Sequence, residues 1–185
     1  MQIYYASLQA IERQTMQLDL ARCAHCQREH QLVSHGFIHK KRVGGAPEAV
    51  GKRVFCSNRN RRTGCGRTMQ LYLAAAVRYL HHAGNAVVAF VLSLSTGMSI
   101  QQAYTCATGI ATPRHAYRWL DRLCAQLSSY RALAQRPPLQ ASAPTAAPER
   151  PTRLRLLMAT FETLLAQFEP PLCAAYQLQT QGPLL

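Results

Sequence analysis

The sequence predicts an α+β chain. A small β-hairpin segment built on four cysteines is followed by a mainly α-helical bundle, a Pro-rich linker and a C-terminal amphipathic helix. Three observations carry this. Cys23, Cys26, Cys56 and Cys65 bracket two runs of strand formers joined by the turn signal Gly44-Gly45-Ala46-Pro47. From Gln70 to Ala134 the apolar residues recur at helical spacing. Between 136 and 151, Pro137, Pro138, Pro144, Pro148 and Pro151 stand among Ala, Ser and Thr, a composition that cannot bury a core and reads as a semi-rigid linker.

The segment 1–20 is weakly patterned, with room for a short helix that packs on the neighbouring cysteine segment. In the segment 21–70, Gln31 to Arg42 is one hairpin arm, rich in Leu32, Val33, Phe37 and Ile38, and Gly51 to Phe55 is the other. In the segment 71–135, Leu71, Ala75, Tyr79 and Leu80 share a face of a first helix ended by Gly84-Asn85. Ala86 to Ser95 is apolar nearly all round, as a buried central helix is. Ser99 caps a short helix from Ile100 to Thr108 that Gly109 stops, and Thr112 with Pro113 opens a longer one to about Tyr130. Beyond the linker, in the segment 152–169, Leu154, Leu157, Met158, Phe161, Leu165 and Phe168 keep i, i+3, i+4 spacing until Pro170-Pro171.

Charge narrows the partner. The chain carries 21 Lys+Arg against 8 Asp+Glu, a formal +13 with a pI near 10.0. The excess is concentrated: residues 21–70 hold eleven basic side chains against Glu29 and Glu48, a net of +9. Such a segment attracts phosphate backbones and releases their counterions on binding. Only three of the basic residues are Lys, and Arg is the better bidentate ligand for phosphate and for guanine edges. Met1 to Leu20 has no charged-then-apolar leader pattern, and the longest strongly apolar run, Ala86 to Leu94, falls far short of the roughly 20 residues a membrane helix needs. A cytoplasmic protein with no membrane partner is therefore expected, placed on the nucleoid if it binds DNA.

In a reducing compartment, closely spaced cysteines are more often metal ligands than disulfides. Cys23-Ala24-His25-Cys26 puts two thiolates at two corners of a tetrahedron, and the hairpin returns Cys56 and Cys65 to supply the others. One structural zinc ion is the expected cofactor. Two alternatives stand beside it: a mixed site in which His25, His35 or His39 replaces a cysteine, and four reduced thiols with no metal. The second pair is widened by eight intervening residues, three of them Arg59, Arg61 and Arg62. Cys106 and Cys124 read as core thiols at apolar helical positions, and Cys173 is uninformative.

Ser99 to Ala103, Gly109-Ile110 and Thr112 to Leu123 have the shape of a helix-turn-helix, whose second helix lies in the major groove. Arg114, His115 and Arg118 would read bases, with Arg122 reaching phosphate, while Ala116, Tyr117, Leu120 and Leu123 face the core. A plain helical hairpin is the competing reading. In the cysteine segment, Lys40, Lys41, Arg42, Lys52 and Arg53 on the hairpin arms, with Arg59, Arg61 and Arg62 on the loop, form the candidate phosphate contacts.

In this order, Cys23-Ala-His-Cys26, the basic hairpin, Val54-Phe55-Cys56, Gly64-Cys65-Gly66-Arg67-Thr68 and Tyr117-Arg118-Trp119-Leu120 resemble the zinc-ribbon plus helix-turn-helix proteins of bacterial insertion sequences. These are the InsA-like proteins and the N-terminal DNA-binding region of related transposases. The resemblance spans roughly residues 21–125. It differs in the widened second cysteine pair and in Met69, where such ribbons often carry an aromatic. It implies recognition of transposon ends or of the element's own promoter, with a nearby transposase as a second partner.

Enzymatic function is not expected. Strand-transfer chemistry needs about three carboxylates on two divalent cations, and the eight acids lie outside any large α/β pattern. The leading expectation is a non-catalytic accessory or regulatory DNA-binding protein, with the 152–169 helix either a homodimer element or packed on its own domain. The alternative is an adaptor whose ribbon docks on a larger transposase or on the transcription machinery. RNA binding would call for more exposed aromatics on a sheet than Phe37 and Phe55.

Overall fold

Two-residue periodicity builds the first part of the chain. In the computed structural model, which describes residues 1–41, 46–78, 80, 82–134, 150–168 and 171–185, the backbone of Gln2–Tyr5 (β1), Leu32–Lys41 (β2), Pro47–Cys56 (β3) and Thr68–Leu73 (β4) forms one sheet in the order β1-β4-β3-β2. β1 runs parallel to β4, and the other pairs are antiparallel. Ser7 accepts a hydrogen bond from Ala10 N and so caps helix α1, Leu8–Met16. Ile11 of α1 enters a core with Leu18, Leu32, Val54, Met69 and Leu71. The expected short N-terminal helix is thus present, preceded by a strand that Ile3-Tyr4-Tyr5, all strand formers, could have announced.

The first helix expected over Leu71 to Leu80 does not form. Of its described residues, 71–73 belong to β4 and 74–78 to the turns after it. Leu71 and Ala75 fit a helical spacing, but Met69 and Leu71 also alternate onto the buried face. β3 needs a partner for the backbone groups it turns away from β2, and Arg53, pairing with Gln70, and Gly51, pairing with Tyr72, supply that register.

The chain divides into two units: Met1–His81 with Tyr176–Pro183, and His82–Ala175 with Leu184–Leu185. The segment read as 71–135 is therefore divided between them. In the first unit, Gln177 is fully buried and donates from Nε2 to the carbonyls of Ala74 (2.6 Å) and Ala76 (3.0 Å). The Gln181 side chain accepts from Tyr4 N at 2.8 Å.

The second unit is helical. Gly84–Ser95 (α2), Ile100–Thr108 (α3), Ala116–Ala125 (α4), Leu127–Leu133 (α5) and Arg150–Gln167 (α6) are followed by Leu172–Thr180 (α7), which continues from Tyr176 into the first unit. Gly84-Asn85 opens α2; it does not close a preceding helix. The two ends of α3 fall where the sequence places them. Ser99 and Gln102 form a reciprocal capping box, and Gly109 takes the left-handed conformation (φ 72°) that a residue with a Cβ adopts at a cost. The long helix expected from Thr112 to Tyr130 begins as a single 3-10 turn at Pro113–His115 and breaks at Gln126.

Phe90, Tyr104 and Trp119 meet edge to face at 5.2 to 6.1 Å, and Tyr130 meets Phe161 at 5.3 Å. Each such pair adds about 0.5–1.5 kcal/mol beyond its buried area. Leu157, Phe161 and Leu164 are fully buried. Leu157 and Phe161 of the expected apolar stripe, with Leu164, therefore pack within their own unit, while Leu154, Met158, Leu165 and Phe168 stay half-buried.

The expected linker lies outside the described residues up to position 149, and positions 150–151 already belong to α6. The helix α7, after Pro170-Pro171, had no counterpart in the sequence reading. Among the described residues, no helix is long and apolar enough to cross a membrane.

Candidate metal centre and cationic surfaces

The first turn of the centre is written into Cys23 to Arg28. Gln27 N donates to Cys23 O at 2.8 Å, Cys23 N donates to Arg28 O at 3.0 Å, and Gln27 takes a positive φ of 59° to complete the turn. His25 N then points at Cys23 Sγ, 3.4 Å away.

The second turn is assembled differently. Gly64 N donates to Ser57 O at 2.8 Å, which pinches the loop 58–63 out of the path. Cys56, Ser57, Gly64 and Cys65 thus occupy the places of four consecutive residues, and the eight-residue gap closes as if it were two. Cys65 N donates to Cys56 Sγ at 3.2 Å, from the position that Cys26 holds in the first turn. Gly64 allows the pinch, since a Cβ there would lie 2.3 Å from Ser57 O and 2.7 Å from Cys56 Sγ. Ser57, buried at 7% exposure, and Gly64 are the functional residues that sequence reasoning missed. The serine and glycine flanking the cysteines were the available signal.

The four sulfur atoms lie within 4.8 Å of one another. Cys23 Sγ and Cys65 Sγ are 3.8 Å apart, and Cys26 Sγ and Cys56 Sγ 3.7 Å. A tetrahedral site with metal–sulfur bonds of about 2.3 Å has edges of about 3.8 Å, so the donor set fits one metal ion. His25, His35 and His39 are not part of the cluster. His35 instead lies against the Phe55 ring (6.2 Å) and His39 against Phe37 (6.2 Å).

Burial pushes the Cys56 thiol up, and the neighbouring thiols add to this against the Cys65 N–H, to about 12. Burial also acts upward on Cys23, but the backbone N–H groups of Cys26 and His25, with the Cys56 and Cys26 thiols, bring it down to about 7. The clustered thiols titrate together, and a metal ion binding them displaces the protons that remain.

The remaining cysteines divide. Cys106 is exposed and Cys124 half-buried, which corrects the reading of both as core thiols; Cys173 is buried. α3 and α4 are amphipathic, and each places its cysteine away from the buried stripe of Ala103, Tyr104, Trp119 and Leu123.

The basic residues separate into braces and exposed surfaces. Arg62 Nη1 donates to His30 O at 3.0 Å and reaches Leu32 O at 3.5 Å, tying the loop to the entry of β2, and Arg28 donates to Thr63 O, tying it to the first turn. Lys52 donates to Thr15 Oγ1 at 3.2 Å and lies 4.9 Å over the Phe37 ring, and Lys40 reaches Val77 O at 3.4 Å. Arg53, Arg59 and Arg61 are exposed. Arg42 and the Lys41 side chain lie outside the described residues.

In the helical unit, Arg114, His115, Arg118 and Arg122 are all exposed, while Ala116, Trp119, Leu120 and Leu123 are buried. Tyr117, expected in the core, is 47% exposed on the same side as the arginines, because the helical stripe leaves positions 117 and 118 outside it. Compared with family models, with curated proteins and with solved structures, the chain matches none.

Proposed function

We propose that this chain is a non-catalytic, zinc-dependent DNA-binding protein of a mobile element, an accessory or regulatory factor that recognises element ends or the element's promoter. The observation that carries the reading is the row Arg114, Arg118 and Arg122, with His115 and Tyr117, exposed along one side of a helix whose opposite side is core. The row comes after a capped helix and a glycine turn, as the reading helix of a helix-turn-helix does.

Zinc is the ion that four thiolates at these separations suit, and a closed four-sulfur shell leaves no position for a reacting water. The ribbon then scaffolds the sheet. Zinc with four thiolates lowers the formal +9 of residues 21–70 to about +7, still strongly basic. Arg59 and Arg61, held outward on the pinched loop, are phosphate contacts in this reading, and Arg62 is a brace.

A second reading is favoured by one observation. Met16 (83% exposed) and Leu20 (79% exposed) stand bare just before the first cysteine turn, an apolar pair suited to docking on a transposase or on the transcription machinery.

Titrating the zinc-loaded full chain against labelled duplexes from its own flanking DNA separates the two. For the DNA reading, affinity falls steeply with salt, and Arg118→Ala costs about 1–3 kcal/mol on the preferred site while relaxing sequence preference. No duplex affinity at physiological salt, together with transposase or polymerase binding that Met16→Glu abolishes, would replace it with the adaptor.

A further inference from the structure

The face of the sheet turned away from α1 has three rows. Ile38, Gly51, Tyr72 and Tyr4, at one end, are buried. The other two rows are partly exposed: the half-buried Phe55 beside the half-buried Val33 and the exposed Thr68, then the exposed Arg53 beside the half-buried Gln70 and Gln2, with the exposed His35 rising from the irregular stretch of β2. His35 and Phe55 place their rings 6.2 Å apart. Arg53 is exposed, and none of these residues is acidic. Gln70 Oε1 is buried without a hydrogen-bond partner, an acceptor on the floor of the patch. Beside it, with its amide turned, the Gln2 oxygen accepts from Arg78 Nε and Nη1 at 3.1 Å, which holds a second guanidinium at the rim.

We infer that this open half of the sheet is a stacking platform for single-stranded DNA, distinct from the arginine row on α4. Unpaired bases can lie on the rings of such a face while their phosphates run along the cations. Phe55 and His35 take the bases, and Arg53 and Arg78 neutralise phosphate. The charge is complementary, since the patch lies on the segment that holds most of the chain's positive excess. The choice of DNA over RNA rests on the duplex reading above; the platform itself does not.

The test uses the zinc-loaded full chain, a fluorescein-labelled oligo-dT of about twelve nucleotides and a duplex of the same length, read by anisotropy. Phe55→Ala weakens oligo-dT binding about tenfold, leaves zinc content and duplex affinity unchanged, and is rescued by Phe55→Tyr. Arg118→Ala does the reverse, weakening the duplex alone. Where the alanine variant loses metal, Phe55→Leu keeps the volume beside Val33 and removes only the ring. Unchanged oligo-dT affinity in that variant at full metal content overturns the platform, as does absence of oligo-dT binding by the unaltered chain. Tighter binding of oligo-U than of oligo-dT overturns the assignment to DNA. A chain that binds oligo-dT and no duplex removes the duplex reading and leaves the platform standing.

Discussion

On one side of its sheet the first unit packs Ile11, Leu18, Leu32, Val54, Met69 and Leu71 together with two fully buried thiols, Cys23 and Cys56. The second closes around rings and leucines: Phe90, Tyr104, Trp119, Tyr130, Leu157, Phe161 and Leu164. In the first, two of the four clustered cysteines are themselves core residues, so an ion held by the cluster and the apolar contacts would support one another. In the second, burial alone suffices. The difference lies in the cysteine cluster: a metal ion held by it would add folding energy to the sheet unit that the helical unit does not call on.

Removing the metal breaks the comparison most deeply. Structural zinc contributes about 10–16 kcal/mol in small cysteine sites near neutral pH, more than a sheet unit of this size retains on its own. Chelation is expected to abolish amide-exchange protection of β2, β3 and β4 while α2 to α6 keep theirs. Acid acts in the same direction, because ligating thiolates must be deprotonated: lowering the pH releases the ion and raising it tightens binding.

Phe161→Ala tests the other side. The residue is fully buried against Tyr130, and such truncations cost about 3–5 kcal/mol. Urea unfolding of the helices should shift by that amount while zinc stoichiometry stays at one. Loss of zinc in this variant would mean that the two units do not stand on separate supports.

The smallest effect sharpens the geometry of the centre. Gly64→Ala places a Cβ against Ser57 O and Cys56 Sγ, so the pinch must open. Disturbed outer contacts of this kind cost roughly 10–100-fold in metal affinity, measurable by competition with a chromophoric chelator. An unchanged affinity would show that the second turn does not depend on that closure.

Much of this was legible from residues alone. The hairpin arms, the capped helix from Ile100 to Thr108, the buried helix after Gly84 and the four clustered cysteines all depend on local signals: turn residues, caps, periodicity and ligand spacing. The strand at Thr68–Leu73 was not legible, because its spacing fits either period and only the open side of β3 decides between them. Arg62 gave no sign that it braces a loop, since the His30 and Leu32 carbonyls it reaches are some thirty positions away in sequence.

By itself the sequence determined which residues can bind metal, where positive charge gathers and where the helices at Gly84–Ser95, Ile100–Thr108 and Arg150–Gln167 begin and end to within two residues, because those properties travel with side-chain chemistry and short-range backbone preference. The tertiary structure alone decided how a widened cysteine pair still makes a four-sulfur site, which cations brace and which stay exposed, and which sheet face lies open. Each of these depends on contacts between residues distant in the chain, and no local pattern encodes such contacts.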